Sequence, residues 1–227
     1  MTATVPAKEV SQIPAFYQAP IGKKVVMAVT GVILFVFVIG HLIGNLQIFL
    51  GPEKLDAYAV ALRTMPALLW IARIGLLAAV ILHIAAAVQL TALKNTARPS
   101  GYAKQTPIAS SYASRTMMWS GPILGAFVVY HLLHFTFGAA HPDFRDLAPY
   151  HNIVAGFRQI PVALAYIVAM VMLGFHLYHG AWSMFQSLGI NHPRYDAALR
   201  RFAAIVTGFL VAGNISIPVA VLTGLVK

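Results

Sequence analysis

The chain has 227 residues, of which 59% are hydrophobic and 10% charged, with a formal net charge of +10 and a mean hydropathy of +0.75. This composition excludes an ordinary soluble domain and indicates long apolar membrane helices. The chain has no cysteine, which excludes disulfides, thiolate metal sites and cysteine-ligated iron–sulfur clusters. The basic residues are scattered at segment ends instead of forming one face, which argues against a nucleic-acid partner.

Five apolar segments follow one another along the chain, at residues 25–50, 66–93, 117–140, 160–188 and 202–226. Each is long enough to cross a bilayer, and a helix satisfies its own backbone there. The sequence therefore predicts an all-α fold: one domain over residues 1–227, an integral membrane bundle of five transmembrane helices. Residues 1–22 lack the apolar core of a signal peptide and are expected to form an N-terminal segment on the cytoplasmic side.

The distribution of lysine and arginine sets the predicted orientation. Ten of these residues fall on the N-terminal side of the predicted membrane and five on the other, which places the N-terminus in the cytoplasm. The connection from Lys94 to Arg115 carries four basic residues and no acidic one, and its Pro, Gly and Ser residues indicate a loop. The basic residues of this loop only reflect the positive charge expected on the cytoplasmic side, or the loop docks on an acidic partner or on lipid headgroups.

Six of the nine histidines lie within the predicted spans, and ionisable residues are rare there. The other three, His141, His151 and His192, are predicted to be solvated loop residues. The first four spans contain the six histidines and the fifth contains none: His41, His83, His131, His134, His176 and His179. Hydrogen bonds between helices, a proton relay, a metal site and haem ligation are the alternatives.

Depth in the membrane favours paired ligands. The distance from the cytoplasmic end of each segment, at a helical rise of 1.5 Å per residue, is ~25 Å for His41, ~24 Å for His131, ~16 Å for His83 and ~15 Å for His176. His41 with His131 and His83 with His176 therefore form two pairs at two depths. Each pair can hold a planar macrocycle through two axial nitrogens, whereas a single metal cluster needs all four at one depth.

His134 and His179 are alternative ligands to His131 and His176, because each lies three residues further along on nearly the same helix face. The depth of His179 is ~10 Å, a poorer match to His83, and that of His134 is ~28 Å, which hardly discriminates it from His131. Interhelical hydrogen bonds, haem propionate contacts, a part in a quinone site and proton transfer remain open for both. Glycines around the histidines favour a buried flat group or close helix packing: Gly40, Gly44, Gly125, Gly174 and Gly180.

Sequence motifs over almost the whole chain resemble one family. They are "FYQAPIGKK" before the first segment, "GHLIGN", "ILHIAAAVQLTA", "VVYHLLHF" and, most specific, "GFHLYHGAWSMFQSLGI". The chain resembles the five-helix, di-haem cytochrome b558 membrane anchor of succinate dehydrogenases and fumarate reductases. The resemblance implies that the axial ligands of two b haems are His41, His83, His131 and His176.

The resemblance also implies a subunit of a respiratory complex II in a bacterial-type cytoplasmic (inner) membrane. FAD would belong to a partner flavoprotein and the iron–sulfur clusters to a second partner, so that no dicarboxylate active site and no catalytic residue are expected in this chain. The anchor would exchange electrons with membrane quinone, commonly menaquinone in this family. The direction of catalysis and the oligomeric state of the complex stay open.

Quinone reduction needs protons, and polar residues near the segment ends are the candidates. Toward the predicted outer surface these are Glu53, Asp56, Arg63 and Arg73, and toward the cytoplasm Lys23, Lys24, Ser183 and Gln186. Arg73 lies inside the second segment and needs a partner, such as a haem propionate or a quinone carbonyl. Trp182 is interpreted as an interface anchor or a packing residue.

Two other functions are compatible with buried histidines. One is a b-type anchor of another respiratory dehydrogenase, against which the Trp-Ser segment and the five-span count argue. The other is a proton-coupled transporter, which would have inverted repeats and broken helices. The sequence has no strong inverted repeat, and Pro218 is its one clear break inside a predicted span.

Overall fold

The computed structural model describes residues 16–97, 112–190 and 192–227, and no strand occurs in these ranges. The helices that carry the fold are α1 (Pro20–Asn45), α2 (Pro52–Arg63), α3 (Pro66–Ala97), α4 (Tyr112–Phe135), α5 (Pro149–Phe157), α6 (Ile160–Ser187) and α7 (Pro193–Leu222), with a 3₁₀ turn at Leu46–Leu50. Among the described residues, five helices are long and apolar enough to cross a membrane: α1 with its 3₁₀ turn, α3, α4, α6 and α7. The predicted all-α fold is confirmed, and its five helices that could cross a membrane are the pattern of a multi-pass membrane protein.

Proline begins most of these helices. Pro20, Pro52, Pro66, Pro149 and Pro193 each occupy the first helical position. The missing N–H of proline costs nothing there, because the first N–H groups of a helix have no intrahelical partner, and the fixed φ angle suits the helix.

The first span begins earlier than predicted, at Pro20 instead of residue 25. The reason is Lys23, which is 9% exposed and whose Nζ donates to the carbonyl oxygens of Tyr17 and Gln18, each at 2.8 Å. The charge is therefore accommodated beside the first turn. Of the predicted N-terminal segment 1–22, residues 20–22 are already helical, while residues 1–15 lie outside the described ranges.

The third span was predicted to end at residue 140 but ends at Phe135. The chain leaves the helix through Gly138, whose φ of +72° favours glycine, and a Cβ there would overlap the ring of Phe144. The same helix begins at Tyr112, so that Pro122 lies inside it. Pro218 is therefore not the one interior break that the sequence predicted.

The fifth span was predicted over residues 202–226 but begins at Pro193 and ends at Leu222. At its start, the backbone N–H of Arg194 donates to Nδ1 of His192 at 3.1 Å, which caps the helix. The polar first turns extend the helix beyond the apolar stretch that hydropathy detects. Gly224, at φ +74°, follows the C-terminal end.

The short helices α2 and α5, which the sequence did not predict, lie at one end of the bundle. They form the "end layer" with turns 136–148 and the C-terminus. Asp56 of α2 accepts the N–H of Tyr150 at the start of α5 at 3.0 Å, and the Tyr150 hydroxyl donates to the carbonyl oxygen of Lys227 at 3.1 Å. Arg63 Nη1 donates to Asp146 at 3.0 Å.

Helices α1 and α6 are central. Helix α1 packs against α3, α6 and α7, and helix α6 packs against α4 and α7 as well. Among the described residues, α1 with α4 and α3 with α6 share no extended interface. These are the helix pairs whose histidines face one another.

Candidate functional site: two histidine pairs

Four histidine rings meet in two pairs across these separated helices. The ring centroids of His41 (α1) and His131 (α4), called pair A, lie 5.8 Å apart with an interplanar angle of 90°. Those of His83 (α3) and His176 (α6), called pair B, lie 6.3 Å apart with an angle of 59°. The depth argument from the sequence paired the same residues.

The two pairs lie at different levels of the bundle. His41 and His131 are each four residues, or about 6 Å along the axis, from the ends of α1 and α4 at the end layer. His83 and His176 are about 24–26 Å from the starts of α3 and α6, which lie at that same end. Pair A is therefore next to the end layer, and pair B is deeper in the bundle.

In pair B, the hydrogen bonds of His83 define the tautomer of its ring. Nδ1 of His83 lies 3.2 Å from the Met27 carbonyl oxygen and 3.2 Å from Thr30 Oγ1. The Thr30 hydroxyl has one proton and donates it to backbone, with the Val26 carbonyl oxygen at 2.7 Å. Nδ1 therefore carries the ring proton, and Nε2 keeps its lone pair, as a metal-ligating imidazole requires.

Pair A is oriented by a tyrosine. The hydroxyl of Tyr166, on α6, lies 3.3 Å from Nδ1 of His131 and 3.0 Å from Nδ1 of His134. Tyr166 is 6% exposed and His134 is fully buried. On the other side of pair A, the ring of Phe37 stacks on His41 with centroids 5.3 Å apart.

The pairs fit haem iron held by two imidazoles. An iron–nitrogen bond of about 2 Å plus about 1 Å to the ring centre, on both sides, gives a centroid separation of about 6 Å. The observed 5.8 and 6.3 Å agree with that value. The buried Nδ1 of His176 has no hydrogen-bond partner. Within 16–97, 112–190 and 192–227 no three His, Asp or Glu side chains converge on a metal position, and haem needs only two.

The glycines near the histidines divide into two groups. Gly44 packs against the ring of Tyr58, and Gly174 against Val211, so that both serve helix packing. A Cβ added at Gly40, Gly125 or Gly180 would meet nothing within 4 Å. At these three positions the backbone therefore borders open space.

His134 and His179 are placed differently from the paired histidines. His134 stacks on His141 with centroids 4.8 Å apart, and its buried Nε2 has no partner. A Cβ at Gly156 would lie 2.8 Å from Cε1 of His134, so the His134 ring fits here because residue 156 has no side chain. Nδ1 of His179, one turn from His176, is also buried without a partner.

Two of the three histidines outside the spans, His141 and His151, are partly buried and have structural contacts, contrary to the prediction of solvated residues, whereas His192 is exposed as predicted. His141 accepts the N–H of Asp143 at Nδ1 (3.0 Å), which leaves Nε2 as the donor to the Asn152 carbonyl oxygen (2.8 Å). His151 lies in α5 and bonds the Asp143 carboxylate at 2.8 Å. This bond holds the pKa of Asp143 below its ordinary value, with a smaller contribution from Arg145. His192 caps α7, as described above.

The remaining polar candidates are mostly engaged in local contacts. Asp56 and Arg63 belong to the end layer, and Ser183 Oγ donates to the Gly180 carbonyl oxygen at 3.3 Å. Arg73 is exposed and lies over the ring of Trp70 at 5.2 Å. Among the described residues it has no carboxylate partner.

Arg73 lines an open groove of about 350 Å³ near the end layer. Its other lining residues are aromatic, apolar or basic, apart from one threonine: Arg63, Pro66, Leu69, Trp70, Thr136 and Phe137. Thr136 and Phe137 directly follow α4, which carries His131. The groove thus offers two guanidinium groups and two aromatic rings beside the level of pair A.

Trp182 packs within the bundle and also makes a hydrogen bond through its indole N–H. Its Nε1 donates to Asp196 of α7 at 3.0 Å, and the guanidinium of Arg200 lies 3.7 Å from its ring centroid. The loop predicted between Lys94 and Arg115 falls largely on residues 98–111, outside the described ranges.

No protein-family model, curated protein or solved structure matches this chain. Sequence reasoning missed three residues that contact the histidines. Tyr166 and Thr30 lie within hydrogen-bond distance of histidine nitrogens, and Gly156 leaves space for the His134 ring. A tyrosine, a threonine and a glycine within apolar segments give no signal by themselves. Their roles depend on which helices become neighbours.

Proposed function

We propose that this chain is a di-haem cytochrome b membrane anchor of a succinate:quinone oxidoreductase. His41 with His131 would hold one b haem, and His83 with His176 the other. The observation that carries the proposal is the meeting of four imidazoles from four helices in two pairs, at centroid separations of 5.8 and 6.3 Å. The resemblance in sequence supplies the kind of complex.

In this proposal the N-terminus lies in the cytoplasm, as the excess of basic residues on that side favours. Pair B is then nearer the cytoplasmic partner subunits, an iron–sulfur protein and a flavoprotein with FAD. Pair A and the end layer face the outside. The chain itself contributes no dicarboxylate site.

The residues of each pair would fix the position and the reactivity of a haem. When bound between two imidazoles, haem supplies one-electron transfer without an open coordination position. Met27 and Thr30 orient His83 through Nδ1, and Tyr166 orients His131. The apolar helices exclude water and so lower the local dielectric.

The groove at Arg73 is proposed to contact either quinone or a haem propionate. Menaquinone is the expected quinone. An exposed guanidinium beside Trp70 and Phe137 suits a carbonyl on an aromatic ring. We expect Arg73→Gln to raise the KM for quinone about tenfold, the value of one lost charged hydrogen bond, with haem content unchanged. Lys54→Gln, an exposed charge on α2, is the matched control.

The first test is the haem content of the protein purified from membranes with its co-purifying subunits. We expect a b-type reduced-minus-oxidised spectrum and two haems per chain by pyridine haemochrome. His41→Ala and His83→Ala should each remove one haem, while His192→Ala should remove none. Purified protein without a Soret band would contradict the proposal and favour the proton-coupled transporter.

One haem instead of two would mean that one pair is wrong. His134 and His179 would then be substituted in turn, because each lies one turn from a proposed ligand. Two haems that both survive His41→Ala would contradict the pairing itself.

A further inference from the structure

We infer that Tyr166 is a positioning residue that sets the reduction potential of the haem proposed for pair A, acting through His131. The inference rests on the proposed function. It starts from the Tyr166 hydroxyl, which lies between the Nδ1 atoms of two histidines, at 3.3 Å from His131 and 3.0 Å from His134.

Proton counting gives the direction of this bridge. If Nε2 of His131 binds iron, Nδ1 must carry the ring proton, so Tyr166 accepts that hydrogen bond. The hydroxyl has one proton of its own, and the remaining acceptor within reach is Nδ1 of His134. The order is therefore His131 Nδ1–H to Tyr166 Oη–H to His134 Nδ1.

The bridge makes Tyr166 a stronger acceptor than an isolated phenol. A hydroxyl that donates is polarised and accepts more strongly, an effect that grows in a low-dielectric interior. A stronger acceptor at Nδ1 makes the imidazole a better electron donor to iron and stabilises the oxidised form. Tyr166 and His134 together should therefore lower the potential of the pair A haem.

The bridge is held in a rigid surrounding. The Tyr166 ring contacts Phe127 at 5.0 Å and Phe157 at 4.9 Å between centroids. Gly156 brings the α5 backbone close to His134, because a Cβ there would lie 2.8 Å from Cε1 of that ring. Pair B is built differently, since His83 donates to a backbone carbonyl and a threonine, and Nδ1 of His176 has no partner.

The test is a redox titration of both haems in the purified complex, with the two haems assigned by the His41→Ala and His83→Ala variants. We expect Tyr166→Phe to raise the midpoint potential of the pair A haem and to leave that of pair B unchanged. His134→Leu should shift the same haem in the same direction by less. Tyr130→Phe is the matched control, since its ring stacks on His134 but its hydroxyl makes no hydrogen bond within the described residues.

Two haems with unaltered potentials in Tyr166→Phe would overturn the inference and leave the proposed function standing. Absence of haem from the unaltered protein would instead be failure of the proposed function. If Tyr166→Phe loses the pair A haem, Gly156→Ala decides, because the nearest neighbours of its Cβ are His134 at 2.8 Å and His141 at 3.2 Å, so that it should displace His134 directly. A raised pair A potential in that variant supports the inference, and an unchanged one overturns it.

Discussion

The contact between α1 and α7 at Leu42 and Gly213 permits a quantitative test of helix packing. Leu42 is fully buried beside His41, and a Cβ at Gly213 would lie 2.8, 3.1 and 3.4 Å from its Cδ2, Cδ1 and Cγ atoms. The leucine cannot move aside, because Leu210 and Ala181 are buried in the same cluster. Gly213→Ala should therefore force the helices apart.

The expected energies follow from this geometry. Overpacking costs about 1–3 kcal/mol, from which the better helix propensity of alanine recovers about 1 kcal/mol. Leu42→Ala should cost about 1–3 kcal/mol, less than in a soluble core, because lipid solvates the leucine almost as well as the protein does. The double variant should lose less than the sum, by about 1–2 kcal/mol, since the new methyl occupies the space that the leucine leaves.

The assay is reversible unfolding in mixed detergent micelles, followed by tryptophan fluorescence for the four members of the cycle. Gly208→Ala, also on α7 but with nothing within 4 Å of the added Cβ, is the control and should be neutral or slightly stabilising. Additivity of the two single losses within about 0.5 kcal/mol would refute the reasoning.

Three further predictions concern the ends of the bundle. Asn152→Ala should cost about 2 kcal/mol in thermal unfolding, because the amide makes two 2.8 Å hydrogen bonds with the backbone of Arg145. Trp182→Phe should cost about 1.5–3 kcal/mol in the same assay, since the indole N–H donates to a carboxylate of α7 at 3.0 Å; an unchanged Tm would contradict this. The hydrogen bond from Arg63 lowers the pKa of Asp146 below 3.8, so this stabilisation is present above pH 3.8 and is lost as the pH falls through the lowered pKa. Arg63→Gln should raise that pKa toward 3.8 in a carboxyl NMR titration, and an unmoved pKa would exclude the contact in solution.

The five spans could be predicted because hydrophobicity over about 20 residues is a property of the local sequence. Their ends could not, since they depend on polar contacts: Lys23 bonded to backbone carbonyls lengthens α1, and Gly138 ends α4 before its apolar stretch is finished. The short helix α2 is too weakly apolar to stand out, and α5 is apolar but has only 9 residues. They are fixed by contacts such as Asp56 with Tyr150.

For the candidate site, the helical rise was enough to predict which histidines share a level. It could not predict that His141 stacks on His134, because the chain turns back at Gly138. Nor could it identify Tyr166, which reaches pair A from α6, the helix that carries His176 of pair B. Haem ligation itself stays a prediction until haem is measured.

The two histidine pairs are interleaved along the chain, which constrains the order of biogenesis. When α4 has been synthesised, His41 and His131 are both present, but Tyr166 is not, and His83 still lacks the ring opposite it. Arrival of α6 supplies both missing groups at once. We therefore expect both histidine pairs to be completed only once α6 is in place, and a nascent chain stopped before α6 to have neither pair in its final form.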